Sequence, residues 1–135
     1  MQRRLQKLGI ALTILTFLGT GVGWAKGDSN RLRLRAELAG VGDVSGQADF
    51  EQRRGRRKFS VEIEGVGAGD TFDVIVRGVN VGTITANGLG VAELDFDDTA
   101  GPLDLDLPFP SNFPRLNGGE SVAVGGTLSG TLQTK

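Results

Sequence analysis

Five aspartates crowd positions 95–106: Asp95, Asp97, Asp98, Asp104 and Asp106. Carboxylates in loops are hard oxygen donors, the ligands that calcium takes six to eight at a time. The run Asp95-Phe96-Asp97-Asp98 lacks the spacing and terminal Glu of the helical calcium loop, so a calcium site here would be of another kind. The surrounding pattern sharpens the question. If a hairpin turned at Thr99-Ala100-Gly101-Pro102, Leu94 and Phe96 would share a face with Leu105 and Leu107. Asp97 would then oppose Asp104 and Asp95 oppose Asp106, or each would shift by one pair. Every such register sets carboxylate against carboxylate, which is destabilising unless solvent, nearby arginines or a cation offset it. The acidic group therefore reads as a solvated sheet face, a calcium site or a contact surface for a basic partner.

A basic counterpart stands earlier in the chain, at Arg53-Arg54-Gly55-Arg56-Arg57-Lys58. Gly55 sits where a hairpin turn wants a positive φ, so the cations are expected at an exposed tip. Such a tip suits an anionic polymer of the cell envelope, lipid head groups or the acidic face of a neighbouring protein molecule, or it is simply a solvated turn. Arg31, Arg33 and Arg35 form a third charged row, able to neutralise the acidic face if the two strands were neighbours.

What is missing narrows the chemistry further. The chain has no His, Cys or Tyr, and its one Trp is Trp24. Without His there is no Ser–His triad and no ordinary zinc site. Without Cys there is no thiol nucleophile, redox pair or disulfide. Beyond the first 25 residues the only lysines are Lys26, Lys58 and Lys135, which leaves little for a Ser–Lys pair. The lack of Tyr and of a second Trp disfavours sugar stacking and single-strand nucleic-acid binding. Asp98-Thr99-Ala100 departs from the Asp-Thr-Gly loop of aspartic proteases, and no second copy supplies the partner aspartate. The charged alternate positions also argue against an outer-membrane barrel, which needs an apolar outer face.

The elements that must position these groups have a period of two. Arg31–Leu38, Lys58–Glu64, Ala92–Asp97 and Leu103–Leu107 each alternate charge with apolar side chains. That is the pattern of half-buried antiparallel strands. Further strands are expected at Gly46–Gln52, Thr71–Arg77, Val81–Ala86, Ser121–Val124 and Thr127–Leu132. Turn signals separate them, including Arg54-Gly55-Arg56, Gly78-Val79-Asn80 and Asn87-Gly88. About seven to nine short strands predict an all-β domain, an antiparallel two-sheet sandwich, with a small closed β-barrel as the alternative. Pro108-Phe109-Pro110-Ser111-Asn112-Phe113-Pro114 breaks the rhythm, since each proline lacks a ladder donor. It is expected to be a stiff crossing loop whose two Phe rings cover an open end of the core.

Four stretches, Gly46–Phe50, Phe59–Glu64, Val81–Thr85 and Glu93–Phe96, together resemble small exported bacterial all-β domains without an assigned activity. The resemblance implies a fold type and an envelope setting, and no functional residue.

The N-terminus gives the same address. Arg3, Arg4 and Lys7 precede an apolar run from Leu8 to Val22, and Gly23-Trp24-Ala25 supplies small residues for cleavage after Ala25. This is the layout of a secretory signal peptide over 1–25, ahead of a single β-sandwich domain over 26–135. The run falls short of the roughly 20 residues that span a bilayer, so no transmembrane span is expected after cleavage. Removing three of the fifteen basic residues leaves twelve against sixteen acidic ones, a net charge of −4. That charge speaks against nucleic acid as a partner. The expected protein is a secreted or periplasmic, non-enzymatic binding or structural module that contacts a cation or polyanion. The alternative is a small carboxylate-based, glycosidase-like hydrolase drawing on two of the acids.

Overall fold

The computed structural model describes residues 30–100 and 105–135, so the expected signal peptide and Asp104 lie outside the described part. Nine strands follow in order: β1 (Arg31–Gly40), β2 (Ser45–Arg53), β3 (Arg56–Glu64), β4 (Thr71–Val76), β5 (Val79–Thr85), β6 (Val91–Asp97), β7 (Ser121–Val124), β8 (Leu128–Thr131) and β9 (Gln133–Thr134). All pairings between strands are antiparallel. The fold is all-β, with no helix among the described residues. The chain adopts the alternative, barrel-like arrangement rather than two packed sheets. A single sheet runs β5-β4-β7-β8-β1-β2-β3-β6, with β9 also on β1. It curls until its two end strands, β5 and β6, come into contact.

Alternation explains the core strand by strand. Leu34, Ala36 and Leu38 of β1 point inward, as do Ala48 and Phe50 of β2 and Phe59, Val61 and Ile63 of β3. Ala92, Leu94 and Phe96 of β6 complete that wall. Val81 and Ile84 are both buried although three residues apart, because a bulge opposite Val74 and Ile75 resets the period within β5. Val74, Val76, Val122, Val124, Leu128 and Leu132 close the other side.

Two tight hairpins set their own registers. At β2–β3 the turn residues Arg54 and Gly55 have φ of 53° and 82°, the left-handed pair of a type I′ turn, and Arg53 pairs with Arg56. At β4–β5 the turn is Arg77-Gly78, one residue earlier than the Gly78-Val79-Asn80 expectation, so Val79 and Asn80 belong to β5. Arg77 takes the left-handed conformation at a φ of 51°, which lets Val76 pair with Val79.

The proline segment carries the chain from β6 across to β7, and its phenylalanines cover the core as expected. Phe113 is buried and meets Phe59 edge-on at 5.1 Å and Phe109 edge-on at 4.8 Å. Phe109 also lies 5.5 Å from Phe96 and is capped from outside by the Arg57 guanidinium, 4.2 Å from its ring centre.

The expected acidic hairpin does not form. Leu107 joins the sheet through a parallel bridge to Phe96, donating its N–H to Asp95 O and accepting from Asp97 N. A hairpin would require an antiparallel pair. Leu105, expected on the inner face, is 99% exposed.

Candidate binding surface

The outer face of β1, β2, β3 and β6 can be read in rows, because the registers of three adjacent pairs are given residue by residue. The first row, at the β2–β3 turn, holds Arg31, Arg53 and Arg56. The second holds Arg33, Glu51, Lys58 and Asp97. The third holds Arg35, Asp49, Ser60 and Asp95. The fourth holds Glu37, Gln47, Glu62 and Glu93. Charge is thus sorted along the strands: basic at the turn, mixed in the middle, acidic at the far end.

The middle rows neutralise themselves. Arg31 and Arg33 (3.4 Å) both reach Glu51, and Arg35 (2.8 Å) and Lys135 (3.0 Å) both reach Asp49. Burial pushes the Asp49 carboxyl up, but hydrogen bonds from Arg35, Lys135 and Gln47 outweigh it and hold the group below the ordinary carboxylate range. Arg31, Arg33 and Arg35 therefore serve β2, not the aspartates of 95–106, because the neighbour of β1 is β2 rather than β6.

The two charge clusters of the sequence meet. Because β3 pairs with β6, Lys58 lies opposite Asp97, with Nζ 3.6 Å from its carboxylate. Arg57 grips Asp98 through Nε at 3.0 Å and Nη2 at 3.1 Å, and its backbone N–H donates to the same carboxylate at 2.9 Å. Those contacts, led by the Arg57 side chain, hold the Asp98 carboxyl low. Arginine and lysine thus supply the offset that Asp97 and Asp98 need. Asp95 sits opposite Ser60 and shares a shallow depression with Asp106. Among the described residues, no three acidic, His or Cys side chains are gathered as a metal ion would require.

Asp97 has a structural task as well. Its Oδ1 accepts from the Thr99 backbone N–H and from the Thr99 hydroxyl, both at 2.8 Å, closing the turn after β6. These bonds, the backbone one foremost, lower its pKa. A depressed folded-state pKa contributes stability that is complete above the unfolded value, about 4, and is lost as pH falls through the folded value. Asp97→Asn is expected to cost about 1 kcal/mol at neutral pH and to flatten the acid limb of a stability–pH curve. Urea unfolding from pH 7 to pH 2 checks both effects.

The like-charge opposition expected between strands exists, but elsewhere. Glu62 and Glu93 face each other directly across β3 and β6. The Glu62 carboxyl is raised, first by sharing a hydrogen bond with Glu93, then by partial burial and by the charges of Glu93 and Glu64. Glu93 is raised first by a hydrogen bond shared with Asp95 and by its charge. For a raised carboxyl the penalty is present above the folded pKa and is relieved as pH falls through it. Glu93→Gln is therefore expected to stabilise the protein at pH 7 by about 0.2–1 kcal/mol, with the gain shrinking in salt and on acidification. Thermal melts of the variant and the parent protein at pH 7 and pH 4 test the sign.

Sequence reasoning missed Glu37, Glu62 and Glu93 as a group. Their outward parity was legible, but their convergence depends on β6 lying beside β3.

Arg53, Arg54 and Arg56 differ from the cations below them. All three are exposed, and among the described residues none is within ion-pairing distance of a carboxylate. Arg56 donates to the Thr99 hydroxyl at 3.3 Å. A depression beside them is lined by Glu51, Arg57, Lys58 and Asp97 as well. The chain matches no protein-family model and no curated protein sequence.

Proposed function

We propose that the chain is an exported, non-enzymatic β domain whose basic β2–β3 turn contacts an anionic polymer of the cell envelope or extracellular space. The observation that carries this reading is the contrast between Arg53, Arg54 and Arg56 and the rest of the face. Arg31, Arg33, Arg35, Arg57, Lys58 and Lys135 each have a carboxylate partner, whereas these three have none among the described residues. Planar guanidinium groups match phosphate, sulfate and carboxylate oxygens two at a time. The two-residue turn holds them in one place, which limits the ordering cost of binding. The leader-like first 25 residues supply the address.

The hydrolase alternative asks for a raised carboxyl across a substrate cleft from a second carboxylate. Glu62 and Glu93 both have raised carboxyls, but they stand directly opposite each other on the outer face of the sheet and not across a cleft.

The test is binding of the purified protein to heparin, a soluble polyanion, across a salt series. Affinity is expected to fall linearly on a log–log plot, as counterion release requires. Arg54→Glu/Arg56→Glu is expected to weaken binding at least about tenfold and to lower the slope by the contacts removed. Binding that ignores salt, or survives both substitutions unchanged, would sink the reading.

A further inference from the structure

The sorting of charge along one face has a consequence beyond binding a polymer. The basic end carries Arg53, Arg54 and Arg56, and the acidic end carries Glu37, Glu62 and Glu93. Between them lie two rows whose charges, Asp95 apart, are already paired. A two-fold axis through the middle rows would lay the basic end of one molecule over the acidic end of another, twice. Contacts of this self-complementary kind close at two copies.

We infer that the outer face of β1, β2, β3 and β6 packs against the same face of a second copy of this chain, in opposite orientation, as a weak charge-paired dimer.

Glu62 and Glu93 face each other directly across β3 and β6, and among the described residues neither is ion-paired with a cation, so a lone molecule leaves their repulsion standing. The partner's arginines would relieve it. Size sets the strength. Four strands at ~4.8 Å, and a row-to-row span of six residues at ~3.3 Å each, make a patch of at most about 400 Å² per copy, and the curl of the sheet centres the contact on β2 and β3. That is no more than about half the area of a stable interface, so the dimer is weak and sensitive to salt.

Sedimentation equilibrium of the protein expressed from the full chain provides the test. Near ~0.01 M salt, where charges act over ~30 Å, a monomer–dimer equilibrium is expected, and near 1 M salt only monomer. Arg54→Glu/Arg56→Glu and Glu62→Lys/Glu93→Lys are each expected to be monomeric alone at low salt, with unchanged circular dichroism. Mixed in equal amounts they should form a one-to-one complex, since each restores what the other reversed. Asp73→Lys/Thr83→Lys adds similar positive charge on β4 and β5 and should still dimerise. Monomer at low salt, open-ended association, failure of the mixture to pair, or loss of dimer in the β4–β5 variant would each overturn the inference. The polyanion reading fails separately. Arg54→Glu/Arg56→Glu touches both readings, whereas Glu62→Gln/Glu93→Gln weakens the dimer and leaves the turn intact, so heparin binding by that variant scores the turn apart from the dimer.

Discussion

Phe59→Ala is expected to destabilise the protein by about 3–5 kcal/mol, the range for deleting a fully buried ring from a close-packed core. Phe59 is 1% exposed and sits at the centre of β3. Its ring stacks near Phe96 at 6.4 Å and meets Phe113 edge-on at 5.1 Å. Those two rings come from β6 and from the proline segment, so one side chain joins the sheet to the loop that covers it. Removing it leaves a hole that neither neighbour can fill, because Phe96 is held in the ladder and Phe113 is already packed on Phe50 and Phe109. At about 4–8 °C per kcal/mol for a domain of this size, the melting midpoint should fall by at least about 12 °C. Phe109→Ala, at the partly exposed rim, should cost clearly less. Equal effects from the two variants would show that the cluster is not organised around Phe59.

Gly130→Val tests how the sheet closes on β1. A Cβ at Gly130 would lie 2.3 Å from the Glu37 carbonyl oxygen, and one at Gly40 would lie 2.3 Å from that of Thr127. Both obstacles are backbone atoms, so no rotamer change relieves them. The two glycines let β8 approach β1 where Ala39 pairs with Ser129 and Gly40 with Leu128. Any side chain there must push the strands apart, at a cost of about 1–3 kcal/mol or more. A larger hydrogen-exchange rate for β8 and β9 amides should accompany the lower urea midpoint, because the seam opens first. Gly88→Ala is the control: a Cβ there meets nothing within 4 Å, and its effect should stay within about 0.5 kcal/mol. Similar losses from both glycines would mean that the close approach at Gly130 is unimportant.

These predictions rest on features of unequal legibility. The β2–β3 hairpin could be read almost whole from the chain. Gly55 marks the turn between two alternating segments, and the two-residue turn that forms there sets Arg53 against Arg56 and Phe50 against Phe59. The same logic failed at 95–107. Leu103–Leu107 alternates as cleanly as any strand, yet Leu105 lies in solvent and Leu107 pairs in parallel. Alternation states which side chains share a face; it is silent on which segment lies alongside, or in which direction. The arginines of β1 show the same gap. Their outward direction followed from parity, but their partners, Glu51 and Asp49, followed from the neighbouring strand. The close approaches at Gly40 and Gly130 were hidden too, since a glycine called for by crowding looks the same in sequence as one called for by a turn.

By itself the sequence determined the period of two, the positions of most turns and therefore an antiparallel all-β domain with charges outside and aliphatic and Phe side chains within. It also placed five cations at one hairpin tip. Only the tertiary structure decided that the sheet curls into a nearly closed barrel, and that β6 joins β3. That second choice sets Lys58 and Arg57 on Asp97 and Asp98, brings Glu62 against Glu93, and leaves Arg53, Arg54 and Arg56 as the cations of this face with no carboxylate partner among the described residues. The physical reason is range. Strand period and turn type are settled by dihedral preferences and side-chain burial within a few residues, whereas strand neighbours are chosen by contacts between segments some thirty residues apart, on which local pattern has no hold.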